Sequence, residues 1–130
     1  AELCLLETVQ FIDFRSNDLR GNLPTEIGLM SALTHLDLSH NILEGPIPTE
    51  FGLLTDLEQL SLNSNRLTGD LPMEEFKKLE KMERLHLYDN DDLGGEIPAS
   101  LCLDASLTEA QIDCGNLECA CCEDYEGNEC

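Results

Sequence analysis

Short bursts of alternating apolar and polar residues recur along the chain at a fixed interval. The clearest burst is Leu36-Asp37-Leu38, preceded by Leu33 and followed by Asn41, Ile42, Leu43, Gly45, Ile47, Pro48, Phe51, Gly52 and Leu54. The same order of residue types returns from Leu57 through Leu60, Leu62, Asn65, Leu67, Gly69, Leu71 and Pro72. An earlier copy uses Val9, Ile12, Phe14, Asn17, Leu19, Gly21, Leu23, Pro24, Ile27 and Gly28. A later one uses Met82, Leu85, Leu87, Asn90, Leu93, Gly95, Ile97, Pro98 and Leu101. Asn17, Asn41, Asn65 and Asn90 stand 24, 24 and 25 residues apart. A degenerate fifth start, Leu107, Ala110 and Ile112, runs into Cys114.

Alternation such as Leu36 and Leu38 predicts a short strand with one face buried and the other in solvent. A unit of two dozen residues cannot bury its own apolar face, so neighbours must stack and their strands form one parallel sheet. The Asn lies where the chain leaves the strand. Its amide carries both donors and an acceptor for turn groups that stacking removes from water. The Gly allows a backbone angle that other residues resist, and the Pro holds a non-helical segment. Met73 to Met82 departs from the pattern: it lacks the Phe/Ile-Gly step and predicts a short amphipathic helix, one longer helical turn than its neighbours.

These residues and their spacing resemble the leucine-rich repeat (LRR) in its plant-type form, with a Gly-x-Ile/Leu-Pro segment after the Asn. The resemblance implies an α/β fold: a right-handed β/α or β/3₁₀ solenoid with one parallel sheet on its concave face and a disulfide-rich C-terminal cap. The chain divides accordingly into residues 1–8 as the edge of a truncated N-terminal unit or cap, residues 9–112 as four repeats plus the degenerate fifth, and residues 113–130 as the C-terminal cap. Cys119, Cys121 and Cys122 are similar to the cysteine-rich caps of secreted or membrane-anchored algal LRR proteins. The N-terminal cap of plant LRR proteins, with its Trp and paired cysteines, has no counterpart here. The family docks ligands on the concave face.

Composition sharpens this picture. The 130 residues make a single domain's length, and leucine supplies 25 of them, as a core of equivalent units requires. The 27 acidic against 7 basic residues give a net charge of −20, which opposes nucleic acid and anionic lipid. No run reaches the ~18 apolar residues of a membrane span, so this segment makes no direct membrane insertion. Six of the seven cysteines (Cys102, Cys114, Cys119, Cys121, Cys122 and Cys130) fall in the last 29 residues. That clustering points to disulfides and to an extracellular, cell-surface or oxidising lumenal setting, with fifteen pairings open. Cys4 pairs upstream or stays free. Zinc fits poorly, because Cys-x-Cys-Cys without a nearby His is a weak tetrahedral template.

With the register fixed, the outward strand positions form columns: Phe11, His35, Gln59, Arg84 and Glu109; Asp13, Asp37, Ser61, His86 and Gln111; Arg15, Ser39, Asn63, Tyr88 and Asp113. Asp37, Ser61 and His86 share a column, but a triad needs His between nucleophile and carboxylate, and here Ser61 is central. Asp13 and Asp37 lack the desolvation that would raise one carboxyl for acid–base work. Asp89-Asn90-Asp91-Asp92-Leu93-Gly94 fails the calcium-loop pattern, offering Leu93 and Ser100 where ligands belong. The chain carries no phosphate loop, dinucleotide fingerprint or Asn-x-Ser/Thr acceptor, so neither enzyme nor cofactor is expected.

The expected site is therefore the strand face itself: Phe11, Asp13, Arg15, His35, Asp37, Ser39, Gln59, Ser61, Asn63, Arg84, His86 and Tyr88. Aromatic and Arg side chains are common anchors of recognition, and Phe11, Arg15, Arg84 and Tyr88 all fall here. The expected function is non-catalytic binding of a protein, peptide or glycan, preferably one with a basic patch. The alternatives are a docking subunit of a larger assembly and an inhibitor of a secreted hydrolase. Ice binding, known for some plant LRR proteins, needs regular hydroxyl arrays that columns mixing Asp, Arg, His and Tyr do not supply.

Overall fold

The computed structural model describes residues 6–103, 106–119, 121–122 and 126–129; Cys4 and Cys130 lie outside them. Among the described residues ten strands alternate between two parallel sheets. The first sheet takes β1 (Phe11–Asp13), β3 (His35–Asp37), β5 (Gln59–Ser61), β7 (Arg84–His86) and β9 (Glu109–Gln111), ordered along the chain. The second takes β2 (Arg20–Asn22), β4 (Ile42–Gly45), β6 (Arg66–Asp70), β8 (Asp92–Glu96) and β10 (Leu117–Glu118). Sequence reading led to one sheet. The second is built from the Gly-Pro segments, which are extended and regular enough to pair from coil to coil.

The first sheet holds the predicted register. Ile12, Leu36, Leu60, Leu85 and Ala110 are successive partners, and Leu36, Leu60 and Leu85 are each at most 2% exposed. They join one continuous core that also takes Phe51, Phe76, Leu54, Leu79 and Met82. Burying one such Leu contributes roughly 1.5–3 kcal/mol, so the stack of coils is the source of stability.

The Asn residues act as spacing predicted. Asn65 Nδ2 donates to the carbonyls of Leu38, Leu62 and Asn63 at 3.0–3.3 Å, and its Oδ1 accepts Leu43 N–H at 3.0 Å. Asn41 and Asn90 repeat the arrangement. Asn17 is exposed, and among the described residues it bonds only the Phe14 and Arg15 carbonyls of its own coil. The residue before each Asn (Ser16, His40, Ser64 and Asp89) is left-handed, with φ of 54–57°. Glycine does not occupy these turns, so sequence gave no sign of them. Gly21, Gly45, Gly69 and Gly95 do take positive φ, at the second sheet.

Opposite the first sheet, residues Thr25–Leu29 and Thr49–Leu53 form 3₁₀ turns, followed by short α-helices α1 (Met73–Phe76) and α2 (Ala99–Leu103). The short helix expected over Met73–Met82 forms as α1, over Met73–Phe76 only. Beyond Phe76 the bonds run three residues back, Leu79 to Phe76 and Met82 to Leu79. Burial of Phe76, Leu79 and Met82 at a spacing of three favours that tighter winding over a 3.6-residue period.

At the C-terminal end, α2 is tied to the following segment by Cys102–Cys121, and Cys119–Cys122 closes a short loop. Cys114 is also disulfide-bonded, while Cys122 and Leu117 sit in the core. The sulfurs of Cys102, Cys119 and Cys121 lie within 4.8 Å of one another, but the pairings hold them as disulfides rather than the thiolates a metal takes. The N-terminal end differs. There an apolar cavity of about 300 Å³ opens among Leu6, Ile12, Phe14, Leu19, Leu23 and Met30.

Candidate binding face

The columns form as the register requires: Phe11, His35, Gln59, Arg84 and Glu109 are successive partners, as are Asp13, Asp37, Ser61, His86 and Gln111. Phe11, Arg15 and Arg84 are exposed; Asp13, His35, Asp37, Gln59, Ser61, His86 and Tyr88 are half-buried. Two members of the third column differ from expectation. Ser39 and Asn63 are only 5% and 4% exposed, and Ser39 Oγ–H is turned onto Asp37 Oδ1. They offer a ligand almost no surface, whereas their equivalents Arg15 and Tyr88 do.

Two charged groups occupy the ends of this face. At the N-terminal end Arg15 clamps Asp13, with Nε 3.0–3.1 Å from both carboxylate oxygens and Nη2 2.6 Å from Oδ2. Arg15 Nε is also 3.8 Å from Asp37 Oδ2. The side-chain bonds from Arg15 hold the Asp13 carboxyl below its ordinary range, and the same contact raises Arg15. A general acid needs the opposite shift, so the Asp13–Asp37 pair does not suit acid–base catalysis. Phe11 and His35 rings lie 5.4 Å apart, and His35 Nδ1 contacts Thr34 Oγ1 at 2.8 Å.

At the other end His86 Nε2 lies 3.0 Å from Glu109 Oε1, and Arg84 Nε is 3.8 Å from Glu109 Oε2. His86 and Tyr88 rings are 6.4 Å apart. Glu109, which sequence placed in the column but not in the site, thus engages both side chains. Ser61 occupies the middle of the Asp37–Ser61–His86 line, and His86 turns to Glu109 instead. Asp37 is engaged too: its Oδ1 accepts Ser39 N–H at 2.9 Å and Ser39 Oγ–H at 2.6 Å. No hydrolytic triad is assembled from these three residues.

The repeat is matched by the Leucine Rich Repeat family model over residues 32–54 and 56–79. The chain is a plant-type leucine-rich-repeat protein. Its described disulfides are compatible with the cysteine-rich cap. No curated protein matches the sequence at a significant level. Among solved structures, the LRR ectodomain of the receptor kinase SOBIR1 from Arabidopsis thaliana superposes with a TM-score of 0.77 at 31% identity, over 88% of this chain and 61% of that one. The ectodomain of the receptor kinase GASSHO1/SCHENGEN3 from the same plant, in complex with CASPARIAN STRIP INTEGRITY FACTOR 2, gives 0.72 at 34%, over 85% and 12%. A plant ice-binding protein gives 0.69 at 33%, over 85% and 35%. This LRR chain therefore spans less than two thirds of each.

Proposed function

We propose that this LRR chain is a non-catalytic, extracellular recognition module that binds a protein or peptide on its first-sheet face. The observation that carries the reading is the register of that face: five paired strands hold Phe11, Gln59 and Arg84 in one column over a core of leucines, with Arg15 and Tyr88 two residues beyond β1 and β7. Side chains fixed before binding cost little further ordering, which favours affinity. The similar GASSHO1 ectodomain is a complex with a named factor, which supports a ligand-binding role by analogy. Disulfides in the cap suit an oxidising compartment. Five of the seven basic side chains (Arg15, Lys77, Lys78, Lys81 and Arg84) already lie within 4 Å of a carboxylate, so a partner meets a largely anionic surface and a basic patch would speed its approach.

Panning a displayed random-peptide library against the protein tests this directly. Binders should lose at least ~10-fold affinity to the Arg84→Ala/Tyr88→Ala double variant, since a hot-spot pair carries ~1.4 kcal/mol or more. Binders indifferent to those residues and to Phe11→Ala would put the site elsewhere. A docking role has the N-terminal apolar cavity in its favour, and a native mass above one chain would favour it. Ice binding finds no support on a face whose columns mix acids, bases and amides.

A further inference from the structure

Between β1, β3 and β5 the exposed face is not flat. A cavity of about 150 Å³ opens there, equal to roughly five waters at ~30 Å³ each of liquid volume, which is the scale of one long side chain. Phe11, His35, Asp13 and Asp37 line it, together with Arg15, whose guanidinium is taken up by Asp13. We infer that this cavity is a subsite for a single basic side chain, arginine or lysine, of the ligand. The inference rests on the recognition role proposed above and adds the chemistry of one anchor.

Charge and hydrogen bonding carry the argument. Two carboxylates, Asp13 and Asp37, face one guanidinium, Arg15, leaving one negative charge uncompensated in the cluster. Arg15 spends its short contacts on Asp13 and stays 3.8 Å from Asp37 Oδ2, beyond hydrogen-bond distance. Ser39 satisfies Asp37 Oδ1 only. Asp37 Oδ2 therefore accepts no hydrogen bond among the described residues, and its side chain keeps 25% exposure. An incoming ammonium or guanidinium would give it a charge-assisted donor. The methylene stem of such a side chain would lie against Phe11, 62% exposed, where an aromatic face also attracts a cation. An acidic side chain would be repelled here, and an aliphatic one would strip water from Asp37 Oδ2 without replacing it.

The probes are acetyl-arginine amide and its neutral isostere acetyl-citrulline amide, titrated into ¹⁵N-labelled protein. The arginine probe should saturate amide shifts centred on residues 11–13, 35–37 and 59–61, with citrulline binding at least about fivefold more weakly. Asp37→Asn, which preserves the acceptor for Ser39, should erase that preference, and Phe11→Ala should weaken both probes. Arg66→Ala, exposed on the second sheet, should leave arginine binding unchanged. Equal binding of the two probes, shifts centred on Asp89, Asp91 and Asp113, or no shift at all would each overturn the subsite. If library peptides depend on Arg84 and Tyr88 while the arginine probe fails, the face binds ligands and only the subsite falls. If the arginine probe behaves as stated and no peptide depends on those residues, the cavity stands and the wider reading of the face fails.

Discussion

Asn65 illustrates how much one side chain can hold in a solenoid. Its amide serves three carbonyls and one N–H drawn from two adjacent coils. Replacing it with alanine strands several of these groups away from water at ~1–3 kcal/mol each. Asn65→Ala should lower the unfolding free energy by at least ~3 kcal/mol in urea denaturation, while Asn17→Ala, at the exposed first rung, should cost under ~1 kcal/mol. Asp13 gives a second test at this scale. Because its folded carboxyl is held low by Arg15, the stabilising contact is present above the ordinary carboxylate range and is lost as pH falls through the lowered value. A carbon-detected NMR titration should show Asp13 protonating below an ordinary aspartate, and Arg15→Ala should move it upward; an unmoved titration would detach the shift from that pair.

Neighbouring 3₁₀ turns approach closely enough that only glycine fits at the repeat's Phe/Ile-Gly step. A Cβ on Gly52 would stand 2.8 Å from Glu75 Cβ and 3.1 Å from its Cα, and one on Gly28 would meet the Glu50 carbonyl at 2.7 Å. The backbone angle is ordinary at both, so the requirement is close packing rather than conformational freedom. Gly52→Ala should therefore destabilise by ~1–3 kcal/mol through displacement of α1, visible as loss of hydrogen-exchange protection around Phe76 and Leu79. Wild-type stability in this variant would show that the turns yield without strain. The step disappears in the third unit, where Lys77 takes the place of glycine and the backbone winds as α1 instead.

Across the whole molecule the two ends differ: disulfides fasten the C-terminal cap onto α2, while leucines of the array line an open cavity at the N-terminal end. Closing a loop with a sequence separation of 19 contributes about 3 kcal/mol in the chain-entropy account. Cys102→Ala/Cys121→Ala should lower the melting temperature and release exchange protection first at β8, β9 and β10, leaving β3 and β5 protected. Uniform loss along the array would mean that the cap and the repeats unfold as one unit.

Periodicity alone determined that Leu36, Leu60 and Leu85 are stacked partners, which side chains share a column, and that the Asn serves the backbone of its turn, because a period-two strand repeated every 24 or 25 residues admits one register. Tertiary structure decided what periodicity carries no trace of. The chain turns left-handed at Ser16, His40, Ser64 and Asp89, Ser39 and Asn63 are buried, and pairing between coils turns the Gly-Pro segments into a second sheet. Which charges remain available was settled in space as well. Arg15 closes on Asp13 two residues away, Glu109 answers Arg84 and His86 from the next strand, and Asp37 keeps one oxygen open, since such contacts depend on rotamers and neighbours rather than on spacing in the chain.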